Sequence, residues 1–201
     1  MLKFDEINPS KNAVIFELDD VLVPKKDYDL QVYYLFANFI EYLETFPPSQ
    51  EMLAFISKRY ELHGNTGMFD EIAVTFGIDK KYEENLALLF KTAKLPLKLL
   101  LFKESLALLQ ELLINRKQLF ILTAGAPEQQ LNKIKQTEWN GLDKYLKVYF
   151  KDEFVGLSAD SAMLFLLKEN DLNKDEAVFV GSDNSDYNVA NLAGVDFLSI
   201  K

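Results

Sequence analysis

Cysteine is absent from the 201 residues, which excludes a disulfide framework and thiol chemistry. Basic residues are few. Lys and Arg number 22 against 31 Asp and Glu, a formal charge of −9, so the chain lacks the basic surface that nucleic acid or an anionic membrane requires. A small phosphorylated metabolite stays open as a partner, because it responds to local potential alone. Long hydrophobic runs are also missing. Leu95–Phe102 is broken by Pro96 and Lys98 and is far too short to span a bilayer. Met1 is followed by Lys3, Asp5 and Glu6 without the apolar stretch of a signal peptide, so the expected compartment is the cytoplasm. No internal repeat and no low-complexity tract interrupts the chain, and nothing in it sets an oligomeric state.

What is present is ample apolar material, 49% of residues with 13% aromatic. That is enough for a packed core and for one domain with a modest insertion. From about residue 95 onward, short apolar runs alternate with helical patterns. Gln118–Leu122, Val148–Phe150, Ala177–Val180 and Phe197–Ile200 read as strands. Leu106, Leu109, Leu112 and Leu113 line one helix face, Pro127 suits a first helical turn, and Asp160 is placed to cap the helix carrying Met163, Leu164 and Leu167. Alternation of this kind predicts an α/β fold with a parallel, doubly wound sheet. Residues 24–94 differ, with four helical patterns and no strand. Tyr33, Phe36, Ala37, Ile40 and Leu43 recur at helical spacing, and Pro47-Pro48 stops that helix. The expected organisation is a core of 1–23 and 95–201 interrupted by a helical insert at 24–94.

An early apolar run, Ala13–Phe16, breaks into Glu17-Leu18-Asp19-Asp20. It reads as a buried strand ending in acids, at the edge where open α/β sheets bind ligands. Three charges in four residues are costly unless a cation or hydrogen bonds answer them. Other predicted strands end in Thr123-Ala124-Gly125, in Lys151 and in Gly181-Ser182-Asp183 with Asp186. In a parallel sheet all these ends lie on one edge, so residues distant in sequence can converge.

Phe16-Glu17-Leu18-Asp19-Asp20-Val21-Leu22 resembles the first motif of the haloacid dehalogenase-like hydrolase superfamily, hydrophobic-Asp-x-Asp-x-Thr/Val-Leu. Leu122-Thr123-Ala124-Gly125 resembles its second motif and Val180–Asp186 its fourth, Gly-Asp-x-x-x-Asp. Ala190 and Ala193-Gly194-Val195 match its usual ending. The resemblance spans nearly the whole chain. It implies a Rossmann-like core with a helical cap inserted after the first strand, and hydrolysis of small phosphomonoesters through a carboxylate nucleophile. By the resemblance, position 17 is the nucleophile and Asp19 the general acid and base. Thr123, Ala124 and a lysine hold phosphate, and Glu17, Asp19, Asp183 and Asp186 are the candidate magnesium ligands.

Three positions depart from the pattern. Glu17 replaces the nucleophilic Asp and moves its carboxylate outward by one methylene, and a misplacement near 1 Å costs ~10²-fold in rate. Ser182 replaces a charged magnesium ligand. Ser158 stands where the phosphate-binding lysine is expected, leaving Lys151, several residues earlier, as the remaining source of positive charge. Phosphoryl transfer depends on positioning and charge neutralisation. The departures therefore raise a second expectation, a pseudoenzyme that keeps the fold to bind a phosphometabolite or a protein. Elsewhere, His63 before Gly64 suits a helix C-terminus, Trp139 and Tyr34 are expected to pack, and Lys25 and Lys26 to be solvated.

Overall fold

A computed structural model describes residues 2–200. They form two compact units, one made of the chain up to Pro24 together with Leu99 onward, the other of Lys25–Lys98.

The first unit is built on a five-stranded parallel sheet. Its strands are β1 (Ala13–Phe16), β3 (Gln118–Thr123), β5 (Leu146–Phe150), β6 (Ala177–Gly181) and β7 (Asp196–Ser199), in the order β5-β3-β1-β6-β7. In register, Phe16 lies between Ile121 and Val180. Every residue of β1 and β6 is buried, which is why both read as continuous apolar runs. Side chains alternate between two layers. Val14, Phe16, Leu119, Ile121, Val178 and Val180 join Leu108, Leu109 and Leu112 of α5 (Lys103–Ile114). Ile15, Phe120, Leu122 and Phe179 join Met163, Leu166 and Leu167 of α7 (Ser161–Glu169) and Val189 and Ala190 of α8 (Asn184–Ala193). After β5 the chain returns to the other side of β1, so the strand order reverses beside β1. The carboxyl ends there form the crevice where doubly wound sheets bind ligands.

The second unit packs α1 (Lys25–Glu44), α2 (Ser49–His63), α3 (Met68–Phe76) and α4 (Glu83–Thr92). Tyr33, Phe36, Ala37 and Ile40 are its core, with Tyr33 edge-on to Phe90 at 5.6 Å and Phe36 to Phe69 at 6.1 Å. Leu43 shares the spacing but is 48% exposed, and Tyr34, expected to pack, is 46% exposed; the apolar stripe of α1 is narrower than the residues allow. Lys25 and Lys26 are not simply solvated, since they pair with Asp29 and Glu61. Asp29 is fully buried and also accepts from Tyr60 Oη at 2.7 Å.

Other local expectations meet mixed outcomes. Trp139 is buried and donates to the Ile134 carbonyl. Asp160 stands at the N-cap of α7, but its backbone is helical and its side chain makes no capping bond. A two-stranded parallel pair, β2 (Leu99–Leu100) with β4 (Thr137–Glu138), is too short to announce itself in sequence. No helix among the described residues is long and apolar enough to cross a membrane.

Candidate active site

The backbone of β1 runs one residue past the strand, Glu17 N–H donating to the Val180 carbonyl at 2.9 Å. The chain then turns sharply. Leu22 and Val23 N–H both donate to the Leu18 carbonyl, and Asp20 takes φ +58°. The turn buries the Glu17 side chain and holds both of its oxygens. Oε1 accepts from Leu18 N–H at 2.8 Å, and Oε2 from Ala124 N–H at 3.2 Å and Lys151 Nζ at 2.8 Å.

Lys151 follows β5 directly, which brings it to the same sheet edge. Its Nζ also donates to Asp186 Oδ1 at 2.6 Å and lies 5.0 Å from the centre of the Phe179 ring. Asp186 sits in the first turn of α8, where its Oδ2 accepts from Ser182 N–H at 3.0 Å. Asp183 caps that helix, accepting from Asp186 N–H at 2.9 Å. Gly181 allows this approach. A Cβ there would lie 2.5 Å from that of Asp186.

Asp19 is held separately. Lys133 Nζ lies 2.9 and 2.6 Å from its two oxygens, and Gln130 Nε2 lies 3.3 Å from Oδ2. Both partners come from α6 (Pro127–Gln136) and are about 1% exposed. Gln130 Nε2 also donates to Thr123 Oγ1 at 2.7 Å and to the Ala124 carbonyl at 2.6 Å. Gly125 N–H donates to Asp152 Oδ1 at 3.0 Å. The structure thus brings together Glu17, Asp19, Thr123, Ala124, Lys151 and Asp186. It leaves Asp183 exposed on its cap and Ser158 on the Ser161 hydroxyl.

Burial is the main influence on Glu17 and raises its pKa; Lys151 opposes the rise, and the Asp186 charge adds to it. Burial works against the Lys151 ammonium, yet Glu17 and Asp186 outweigh it and raise that pKa too. These directions agree, because one ammonium shared by two carboxylates cannot fully neutralise both.

Gln130 and Lys133 lie outside the sequence motifs, although the sequence of α6 carries a signal for them. The α6 sequence, PEQQLNKIKQ, has almost no apolar face. A helix packed beside a strand end must then bury polar groups, and Gln130, Lys133 and Thr137 at spacings of three and four share one side.

The acids do not fit a magnesium ion, which needs convergent oxygen ligands in octahedral array. The facing oxygens of Glu17 and Asp186 share an ammonium, Asp19 is engaged by another, and Asp183 is turned to its own helix. Among the described residues no three carboxylate or imidazole groups are placed to hold a metal.

Residues 14–200 match the model of a family described as haloacid dehalogenase-like hydrolase. No curated protein matches the sequence. Among solved structures, the magnesium-bound HAD-hydrolase YfnB of Bacillus subtilis is 14% identical with a TM-score of 0.65, covering 94% of this chain and 86% of that one. A HAD phosphatase from Thermococcus onnurineus is 21% identical with a TM-score of 0.57, over 94% and 86%. A dehalogenase is 17% identical with a TM-score of 0.58, over 97% and 87%. At these identities the likeness is one of fold.

Proposed function

Starting from a chain that belongs to the haloacid dehalogenase-like hydrolase family, we propose that it is a member in which magnesium-dependent phosphomonoester hydrolysis has been lost and the fold is kept for binding. One observation carries the reading. Each acid the reaction would use is already met by the chain's own lysines, Lys151 on Glu17 and Asp186 and Lys133 on Asp19. The donors a phosphate would need are committed as well, since Ala124 N–H, Gly125 N–H and Lys151 all bind carboxylates of the chain. That favours a protein partner over a phosphometabolite.

In this reading each residue has a structural role. Glu17 is a fixed anion on the strand end, Lys151 ties β5 to α8 across it, and Gln130 locks the Thr123 hydroxyl and the Ala124 carbonyl to α6. Thermal denaturation in magnesium with orthovanadate, a phosphoryl transition-state mimic, tests the reading. A ligand at ~100 times its Kd would stabilise the fold by about 2.7 kcal/mol. The expected result is no saturable shift, and a shift requiring both magnesium and vanadate contradicts the proposal.

A second reading rests on the hold upon Glu17. Leu18 N–H, Ala124 N–H and Lys151 fix its carboxylate, as a carboxylate nucleophile would require. Hydrolysis measured in excess EDTA and abolished by Glu17→Gln would establish this second reading in place of the first.

A further inference from the structure

We infer that Lys133 makes this sheet edge carry its own cation and turn divalent ions away. The inference rests on the reading that the metal-dependent reaction is gone, and it concerns a residue that the family motifs do not include. Lys133 is about 1% exposed, and its Nζ engages both oxygens of Asp19. A buried ammonium persists only where a carboxylate and hydrogen bonds answer it. Its backbone is fixed too, Thr137 Oγ1 donating to the Lys133 carbonyl at 2.8 Å. Gln130, one turn earlier, sets Nε2 against Asp19, Thr123 Oγ1 and the Ala124 carbonyl. The polar face of α6 therefore has a specific use, which is to place a positive charge on Asp19 from behind.

Glu17, Asp19 and Asp186 face Lys133 and Lys151, three negative charges against two positive. A divalent ion entering among these ion pairs meets their net charge of about −1 and two ammoniums that repel it. With Lys133 replaced by an apolar side chain of similar length, Asp19 loses its ammonium and keeps only the Gln130 amide, and the balance of these ion pairs falls to −2, so a hard divalent cation becomes the natural counter-ion. Lys133 is thus a positioning residue that acts through Asp19, and its effect is read as metal selectivity.

Manganese is the probe, its binding followed by the paramagnetic resonance of the free ion. The parent, Lys133→Met and Lys133→Met/Asp19→Asn are compared. A unit charge a few Å away is worth well over about tenfold in the affinity of a divalent ion at an effective dielectric near 20. Lys133→Met should bind manganese at least about tenfold more tightly than the parent, and the double variant should return to the parent's behaviour. Saturable binding by the parent as tight as that of Lys133→Met overturns the inference, as does a Lys133→Met that gains nothing. If Lys133→Met does not fold, stability decides. The double variant should be more stable than Asp19→Asn, which strands a buried ammonium, and a double variant no more stable than Asp19→Asn overturns the inference. Phosphomonoester turnover by the parent in EDTA would remove the functional reading alone, because manganese binding is measured without turnover.

Discussion

Replacing Lys151 by Met strands two carboxylates, and the cost can be bounded. The side chains of Glu17 and Asp186 are 8% and 4% exposed, so water cannot take over from the ammonium. Breaking a buried pair by removing one partner costs ~3–5 kcal/mol. Proton uptake limits that cost. From the unperturbed 4.5 of a glutamate, protonating Glu17 at pH 7 spans about 2.5 pH units at ~1.36 kcal/mol each, or about 3.4 kcal/mol. Asp186 keeps the Ser182 N–H and needs the proton less. The expected loss for Lys151→Met at pH 7 is therefore at most about 3.4 kcal/mol from Glu17, reduced by what its raised pKa already costs the parent. At pH 5 the same limit for Glu17 is about 0.7 kcal/mol, so most of the loss should disappear. Urea denaturation of parent and variant at the two pH values, in EDTA, measures both. A loss below about 1 kcal/mol at pH 7, or one that does not shrink at pH 5, refutes the shared-ammonium arrangement.

Glu17→Gln should flatten the pH dependence of stability. The Glu17 pKa is raised by burial in the folded state, so its contribution is fully present below the unfolded value of about 4.5 and is lost as pH rises through the raised value; urea denaturation in steps upward from pH 4.5 shows the slope in the parent and its reduction in the variant. Gly181→Ala should cost about 1–3 kcal/mol by overpacking, because the added Cβ meets that of Asp186 at 2.5 Å; denaturation midpoints check this, and a neutral result would mean that the close approach is not needed. Tyr60→Phe should cost about 1–3 kcal/mol by removing a hydrogen bond from the fully buried Asp29, read in the same assay.

The strands of the core were legible because β1, β3 and β6 are buried on both faces and show as unbroken apolar runs. The convergence of Glu17, Thr123, Lys151 and Asp186 followed from the parallel sheet, which sets successive strand ends on one edge. Lys151 was harder to place, since a lysine after a strand looks the same in sequence whether it is solvated or turned inward. Its direction depends on Asp186, a partner 35 residues away. Lys133 was missed because a buried lysine breaks the rule that lysines face water. The polar pattern of α6 marks Lys133 as facing inward, but its partner Asp19 lies 114 residues away and no local pattern names it. Asp160 shows the reverse limit, since residue type matched a cap that its backbone angles do not allow.

Hydrolysis by the parent protein measures most directly whether the metal-dependent reaction is lost. A panel of phosphomonoesters, with and without magnesium, should show no turnover above that of Asp19→Asn. Magnesium-dependent turnover in the parent that Asp19→Asn abolishes would contradict the account, since it would show that Lys133 and Lys151 leave the acids free to work.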